Sequence, residues 1–307
     1  MRILVTTPAG FIGQKLLPEL LAPEFSVRVV VSHPTCLPAK LRRQVDVVSG
    51  SLDDLATLQR ALVGVEALFW CVPHPIPSET HPLRQYERSA TTAAEAIRRA
   101  GTARVVTISA GGKGHAGQAG PITGLHLMED ILNGSGASIR HLRCGVWMEN
   151  FLAEAAPLRQ RGILAYPMPG DVPIPMVAAT DIADAALKWL VRRDWHGIEP
   201  RAVHGPEDLS YDEAAAILER ALDFAIEYRE LSPNAYAQSL LQSGASREYA
   251  RSIVEMFNQL GQGITRAEPR TSESTTATRL SPWAQRELRP LLPPGASSDH
   301  PTSFATV

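Results

Sequence analysis

The chain has 307 residues, 44% of them hydrophobic and 20% charged. It is long enough to bury about three quarters of its unfolded surface and too apolar for a disordered protein. Its net charge of −2, from 30 basic against 32 acidic residues, excludes a field that would recruit nucleic acid or an anionic membrane.

Arg2 to Thr6 reads as a short buried strand that ends in turn chemistry, and Gln14 to Leu21 then carries leucines at helical spacing. Ser26 to Ser32, Gln44 to Val48 and Ala67 to Val72 are further β-branched or apolar runs, each separated by a helix-length segment. Tyr86 to Gly101 is an amphipathic helix closed by glycine, Ala103 to Ser109 a buried strand, Met128 to Asn133 part of a helix and Ser138 to Arg143 a sixth strand. This uninterrupted βα series predicts an α/β fold with a doubly wound parallel sheet. Prolines crowd Pro157 to Pro175, which must run extended or looped. Asp181 to Val191, Tyr211 to Leu222 and Arg247 to Leu260 read as helices and Arg201 to His204 as a strand. The expected organisation is a core over 1–150, with 176–204 returning to it. A smaller C-terminal α/β lobe over 151–175 and 205–292 forms the pocket, and 293–307 is a flexible tail.

Cys36, Cys71 and Cys144 are far apart and form no CxxC pair, which argues against a disulfide framework and fits a reducing cytoplasm. No run of about 18 apolar residues occurs, so no membrane partner is expected. The nine histidines form no HxxxH or HxH pair, and no metal site is expected.

Between the first strand and the first helix lies Thr6-Thr7-Pro8-Ala9-Gly10-Phe11-Ile12-Gly13. Gly10 and Gly13 are spaced so that one admits a ligand close to the backbone while the other lets the helix pack on the sheet. The helix N-terminus then offers unpaired N–H groups to a pyrophosphate. The segment resembles the T-G-A-T-G-F-I-G turn of the extended and atypical short-chain dehydrogenases. Later pieces are similar to the NmrA-like branch: Gly64-Val65-Glu66-Ala67-Leu68-Phe69, Arg98-Arg99-Ala100-Gly101 before Val105-Val106-Thr107-Ile108-Ser109, and Ser135-Gly136 leading to Leu142-Arg143-Cys144-Gly145 with Met148-Glu149-Asn150-Phe151. The resemblance runs from residue 1 to about 190, with looser echoes to about 292.

That resemblance implies a Rossmann core binding NADPH or NADH, with a ligand pocket between core and lobe beside the nicotinamide. The implied cofactor-binding positions are Thr7, Ala9, Gly10, Phe11, Ile12 and Gly13 in the turn, Ser32 and His33 after the second strand, Ser51 after the third, and Cys71, Val72 and Pro73 after the fourth. Three positions depart from the family pattern: Thr7 replaces a usual glycine, Ser32-His33 stands where NADPH users carry an arginine, and Ser51 where an aspartate is common. Together they are compatible with weak binding, a shifted preference, or a pocket that has lost its dinucleotide.

The superfamily's usual proton donor is a tyrosine four residues before a lysine, whose ammonium lowers the phenol's pKa; none of the six tyrosines has that partner. Candidates for the chemistry are His74 and Ser109, at the carboxyl ends of strands, and His126, on or just before the following helix and the preferred proton donor. His74 reads equally as a rigid loop residue between prolines and Ser109 as a turn residue. Lys113, in the glycine-rich loop Ala110 to Gly117, is a candidate lid residue. Trp147, Met148, Asn150 and Phe151 are expected to line a pocket suited to a flat or hydrophobic ligand. Glu129 and Asp130 read as a solvated helix face, and Thr180 or Asp181 as a helix cap.

Three functions stay open: a nicotinamide-dependent reductase of a small aromatic or conjugated carbonyl or quinone-like metabolite; a non-redox isomerase, cyclase or dehydratase on the same scaffold; and a non-catalytic dinucleotide sensor, a role the branch resemblance implies. The expected partner is a small-molecule substrate, with a homodimer possible.

Overall fold

A computed structural model describes residues 1–115 and 117–292. Ala116 of the glycine-rich loop and the expected tail, 293–307, lie outside the described residues. Six strands, β1 (Arg2–Thr6), β2 (Ser26–Val31), β3 (Asp46–Ser49), β4 (Ala67–Trp70), β5 (Arg104–Ala110) and β6 (Ser138–Cys144), join a seventh, Ile198–Val203, in one parallel sheet. Its order is β3-β2-β1-β4-β5-β6 with Ile198–Val203 at the far edge. The chain winds outward from β1 to β3, then crosses back to β4, so the sheet reverses direction between β1 and β4. In open α/β sheets that switch point is where the carboxyl ends open a crevice for a ligand.

Residues alternate between the two faces of each strand, and the two faces carry separate cores. Ile3, Val5, Val29 and Phe69 pack under α1 (Phe11–Glu19) and the helix Ala179–Leu190. On the other face, Leu4, Val30, Leu68 and Val105 pack under α3 (Leu55–Leu62), α4 (Pro82–Ala100) and α5 (Pro121–Asn133); the short α2 (Ala39–Arg42) bridges β2 to β3. Because both faces are covered, the strands read as apolar runs rather than alternating ones. Gly101 ends α4 at φ 67, the left-handed geometry that favours glycine.

A third core fills the lobe, gathering Leu164, Ile174, Leu218, Phe257 and Trp283. The proline-rich stretch is mostly extended: after a helix over Ala155–Arg161, Ile163–Tyr166 pairs with Glu227–Glu230 and Ile174–Val177 with Val146–Trp147 and Asp208–Leu209. A helix over Pro233–Gln242 was not expected, because none of its residues is buried and its apolar pattern is weak. Ser232 capping it and Pro233 in its first turn were the available signals.

Two local expectations are corrected. Neither Thr180 nor Asp181 caps the helix Ala179–Leu190. Glu149 reaches across instead: its Oε2 accepts from Ala179 N at 2.9 Å and its Oε1 from Trp283 Nε1 at 3.0 Å. Asp181 accepts from the backbone N and hydroxyl of Thr278, at 3.0 and 2.6 Å, which ties the lobe's last segment to the core. Glu129 is also not solvated: it is 1% exposed, whereas its neighbour Asp130 is exposed.

Candidate active site

The turn after β1 is shaped by its two glycines. Gly10 N donates to Thr7 O at 3.0 Å and closes it. A Cβ on Gly13 would collide with Thr7 O and lie 2.7 Å from Pro8 Cα, so only glycine lets α1 start this close to the turn. Thr7 adopts φ 50, the left-handed region where a β-branched residue is strained. This explains why the family usually places glycine there. Gly10 caps α1 without a side-chain bond and no acidic residue enters the first turn, so the helix start presents free N–H groups and a positive dipole end.

The other implied cofactor positions converge on the same edge. Ser32 and His33 are exposed just past β2, and Ser51 is exposed past β3, its hydroxyl accepting from Asp53 N at 3.1 Å. Thr6 Oγ1 accepts from Cys71 N at 2.8 Å and so ties the end of β1 to the end of β4. Cys71 and Val72 continue from there into a cavity, while Pro73 is exposed and its carbonyl accepts from Gln85 Nε2 at 2.9 Å.

That cavity, about 150 Å³, spans the carboxyl ends of β4, β5 and β6 and is roofed by the lobe helix Arg247–Gly261. Of the expected site residues it brings together Cys71, Val72, His74, Ser109, Trp147 and Asn150. His74 is exposed at the rim. The Ser109 hydroxyl is buried with no hydrogen bond and lies near Glu129. Met148 and Phe151 do not line the cavity: they are 1% and 2% exposed in the lobe core, where Phe151 packs edge-on to Tyr211.

Lys113 and His126 belong to an ionic layer beneath the cavity. Arg143 grips Glu129 through Nε and Nη2, at 3.0 and 2.8 Å, and Glu268 through Nη1 at 3.0 Å. Lys113 adds Asp130 at 2.5 Å and Glu129 at 3.3 Å, and Gly112 N donates to Glu268 Oε2 at 2.7 Å. Burial opposes ionisation of Glu129, but the Arg143 guanidinium outweighs it and holds the carboxyl at about 2. His126 Nε2 lies 3.0 Å from Ala110 O, where its N–H secures the end of β5, and the residue is not on the cavity wall. A proton donor role for His126 therefore has no geometric support. His141, held between Thr107 at 2.7 Å and Asn133 at 2.9 Å, is pushed down to about 4 by burial.

Sequence reasoning missed Tyr86, Tyr211, Phe257 and Thr265 on the cavity wall. Tyr86 sits in the apolar stripe of α4 with Ala90, Ala93 and Ile97, where nothing in the spacing separates it from a core residue. Apart from His74, no titratable nitrogen or carboxylate side chain lines the cavity among the described residues.

A family model described as the NmrA-like family matches residues 1–288. The chain belongs to the NmrA-like family. Among curated relatives, it is 28% identical to the (4-alkanoyl-5-oxo-2,5-dihydrofuran-3-yl)methyl phosphate reductase of Streptomyces griseus over 304 residues, 99% of each chain. It shares the fold of a nucleoside-diphosphate-sugar epimerase from Staphylococcus aureus, at TM-score 0.79 and 19% identity over 93% of this chain and 100% of that one. It also shares the fold of an NADPH-dependent quinone oxidoreductase from Escherichia coli, solved with NADPH, at TM-score 0.77 and 21% identity over 91% and 97%. This NmrA-like chain is an oxidoreductase of the atypical short-chain dehydrogenase type. No helix among its described residues is long and apolar enough to cross a membrane.

Proposed function

We propose that the protein is an NAD(P)H-dependent reductase of a small, uncharged conjugated carbonyl compound, an enone or a quinone. One observation carries the reading: a cavity at the carboxyl ends of β4, β5 and β6, walled by Trp147, Tyr86, Tyr211 and Phe257, with no carboxylate, lysine or arginine among its described lining residues. Aromatic walls suit a flat ring, and a charged substrate group enclosed there without a partner would cost several kcal/mol. The Streptomyces relative is named for a conjugated acyl-bearing ring that carries a phosphate and the Escherichia coli neighbour for quinones; both names support a conjugated carbonyl acceptor, and the second an uncharged one.

The residues present fit a dinucleotide. The Gly13 cradle, the uncapped start of α1 and the exposed Ser32 and His33 would hold the pyrophosphate and the adenosine ribose, with Cys71 and Val72 beside the nicotinamide. When bound, the reduced nicotinamide supplies two electrons and one hydrogen to the electrophilic carbon of the substrate. Trp147 and Phe257 hold the substrate ring, and the apolar wall of Ile108, Ile122 and Leu260 keeps bulk water from the reacting carbon. His74, at the rim, stands where solvent protons enter.

Calorimetric titration with NADPH and NADH tests the reading, with Gly10→Arg as the blocked control because its side chain would occupy the turn. Micromolar binding of at least one dinucleotide, abolished in Gly10→Arg, is expected. With NADPH or NADH present, menadione is reduced with kcat/KM at least about 100-fold above 1,4-naphthoquinone-2-sulfonate, matching about 3 kcal/mol for a desolvated anion. Absence of binding by both dinucleotides up to millimolar concentration would overturn the reductase reading.

A further inference from the structure

We propose that Tyr86 is the group that holds and polarises the substrate's carbonyl oxygen, a role that rests on the reductase reading. Tyr86 stands in the second turn of α4 and is 2% exposed. Its ring lies flush on α5 at Gly124, where an added Cβ would sit 2.9 Å from Cε2 and 3.0 Å from Cγ. The missing side chain at Gly124 therefore fixes the ring's place. A buried tyrosine normally finds a partner for its hydroxyl. Tyr86 lines the cavity, and its hydroxyl is not among the atoms sealed from solvent without a partner, which leaves it open to a group placed in the cavity.

The neighbours of that hydroxyl place it at the seam between cofactor and substrate. It shares the cavity wall with Cys71 and Val72 at the end of β4. The Cys71 thiol in turn lies by the Thr7 hydroxyl in the dinucleotide turn. Tyr86 thus faces the end of β4, where the electrophilic carbon must meet the nicotinamide. The Ser109 and Thr265 hydroxyls on the same wall are unpartnered but fully buried, without surface open to the cavity, and the Tyr211 ring stacks in the lobe with centroids 4.8 Å from Tyr166 and 5.3 Å from Tyr228.

Burial pushes the phenol far above its ordinary range, and among the described residues no lysine or arginine lines the cavity to stabilise a phenolate. Tyr86 therefore keeps its proton and acts as a hydrogen-bond donor, unlike the proton-releasing tyrosine of a Tyr-x-x-x-Lys pair. In reduction of an enone, two electrons and one hydrogen from the reduced dinucleotide form a C–H bond at the β-carbon. The C=C pair shifts toward the carbonyl, whose oxygen gains the charge and is held by the Tyr86 O–H. A proton from water at the α-carbon then gives the saturated ketone and the oxidised dinucleotide.

The test uses 4-(dimethylamino)cinnamaldehyde, a neutral conjugated carbonyl whose absorption moves to longer wavelength when its oxygen accepts a hydrogen bond. It is added to the protein saturated with oxidised dinucleotide, which prevents turnover. The wild type is expected to bind it with a red-shifted band. Tyr86→Phe, which keeps the ring against Gly124, is expected to bind about tenfold more weakly, the worth of one hydrogen bond, without the shift and with dinucleotide affinity unchanged. The same band and affinity in both proteins, or no dye binding to the dinucleotide-loaded wild type, would overturn the role of Tyr86 alone. Failure of the wild type to bind any dinucleotide would remove the reductase reading and this role with it.

Discussion

Replacing Arg143 with methionine keeps the length of the side chain but removes the guanidinium that serves Glu129 and Glu268 together. Glu129, 1% exposed, would keep one cation, the Lys113 ammonium at 3.3 Å, and Glu268 would keep the Gly112 N–H at 2.7 Å. Breaking a buried pair costs about 3–5 kcal/mol when one charge is left uncompensated. With Lys113 still in reach, the lower end, about 3 kcal/mol, is expected. For a chain of this size that is a fall in Tm of about 6 °C, at roughly 2 °C per kcal/mol. Scanning calorimetry measures it, and urea unfolding supplies the free energy. The double variant Arg143→Met, Glu129→Leu leaves no buried charge behind and is expected to recover most of the loss, since an apolar replacement of a buried pair is often neutral. A single-variant loss below about 1 kcal/mol, or a double variant no more stable than the single, would refute the claim that Glu129 depends on Arg143.

Gly13→Ala sets a methyl against Thr7 O and Pro8 and is expected to cost about 1–3 kcal/mol from overpacking and at least tenfold in dinucleotide affinity; calorimetry reads both, and an unchanged affinity would remove Gly13 from the cofactor turn. Glu149→Gln turns an NH2 group toward one of the two donors Ala179 N and Trp283 Nε1, so urea unfolding is expected to show a loss of about 1–3 kcal/mol. His141 is depressed from 6.5 to about 4 in the folded state, so the unfolded chain binds the extra proton first. Its contribution is complete above pH 6.5 and is lost as pH falls toward 4, about 3 kcal/mol in all. In His141→Gln the slope of stability against pH between 6.5 and 4 is expected to flatten; an unchanged slope would assign the acid sensitivity to other groups.

The sheet was legible because its strands are buried on both faces and so stand out as apolar runs between helix-length segments, and because Gly10 and Gly13 follow the first one directly. The carboxyl-end positions Cys71, Val72, Ser109 and Trp147 followed from topology, since a parallel sheet sends those residues to one edge. Polar side chains in α5 were misread for a physical reason. Glu129 and Asp130 are adjacent, yet one turns inward to Arg143 and the other to solvent; sequence shows a charged pair but not the arginine, 14 residues after Glu129 in β6, that compensates its burial. Met148 and Phe151 sit beside Trp147 but face the lobe's aromatic core. Tyr86 carried no mark, because an aromatic on an amphipathic stripe reads the same whether it meets a helix or a cavity.

The ionic layer and the uncharged cavity are two sides of one arrangement. Lys113, Glu129, Arg143 and Glu268 lie next to the wall residues Ala110, Ser109 and Thr265 in sequence or space, yet each spends its charge on another member of the layer. Glu268 is anchored by Gly112 N and Arg143 at once, which fixes the short 3-10 turn Ile264–Arg266 and its Thr265 against the cavity. Gly111 and Gly112 admit this closeness, since a Cβ on Gly111 would lie 2.7 Å from Glu268 Oε2 and one on Gly112 would strike Ile264. The charges therefore hold the lobe wall in place while leaving none of themselves in the site. The cavity wall itself carries aromatic faces and neutral polar groups, the Tyr86 phenol among them. An anionic group placed in the cavity would have to draw Arg143 or Lys113 away from Glu129 and leave a buried carboxylate unpaired.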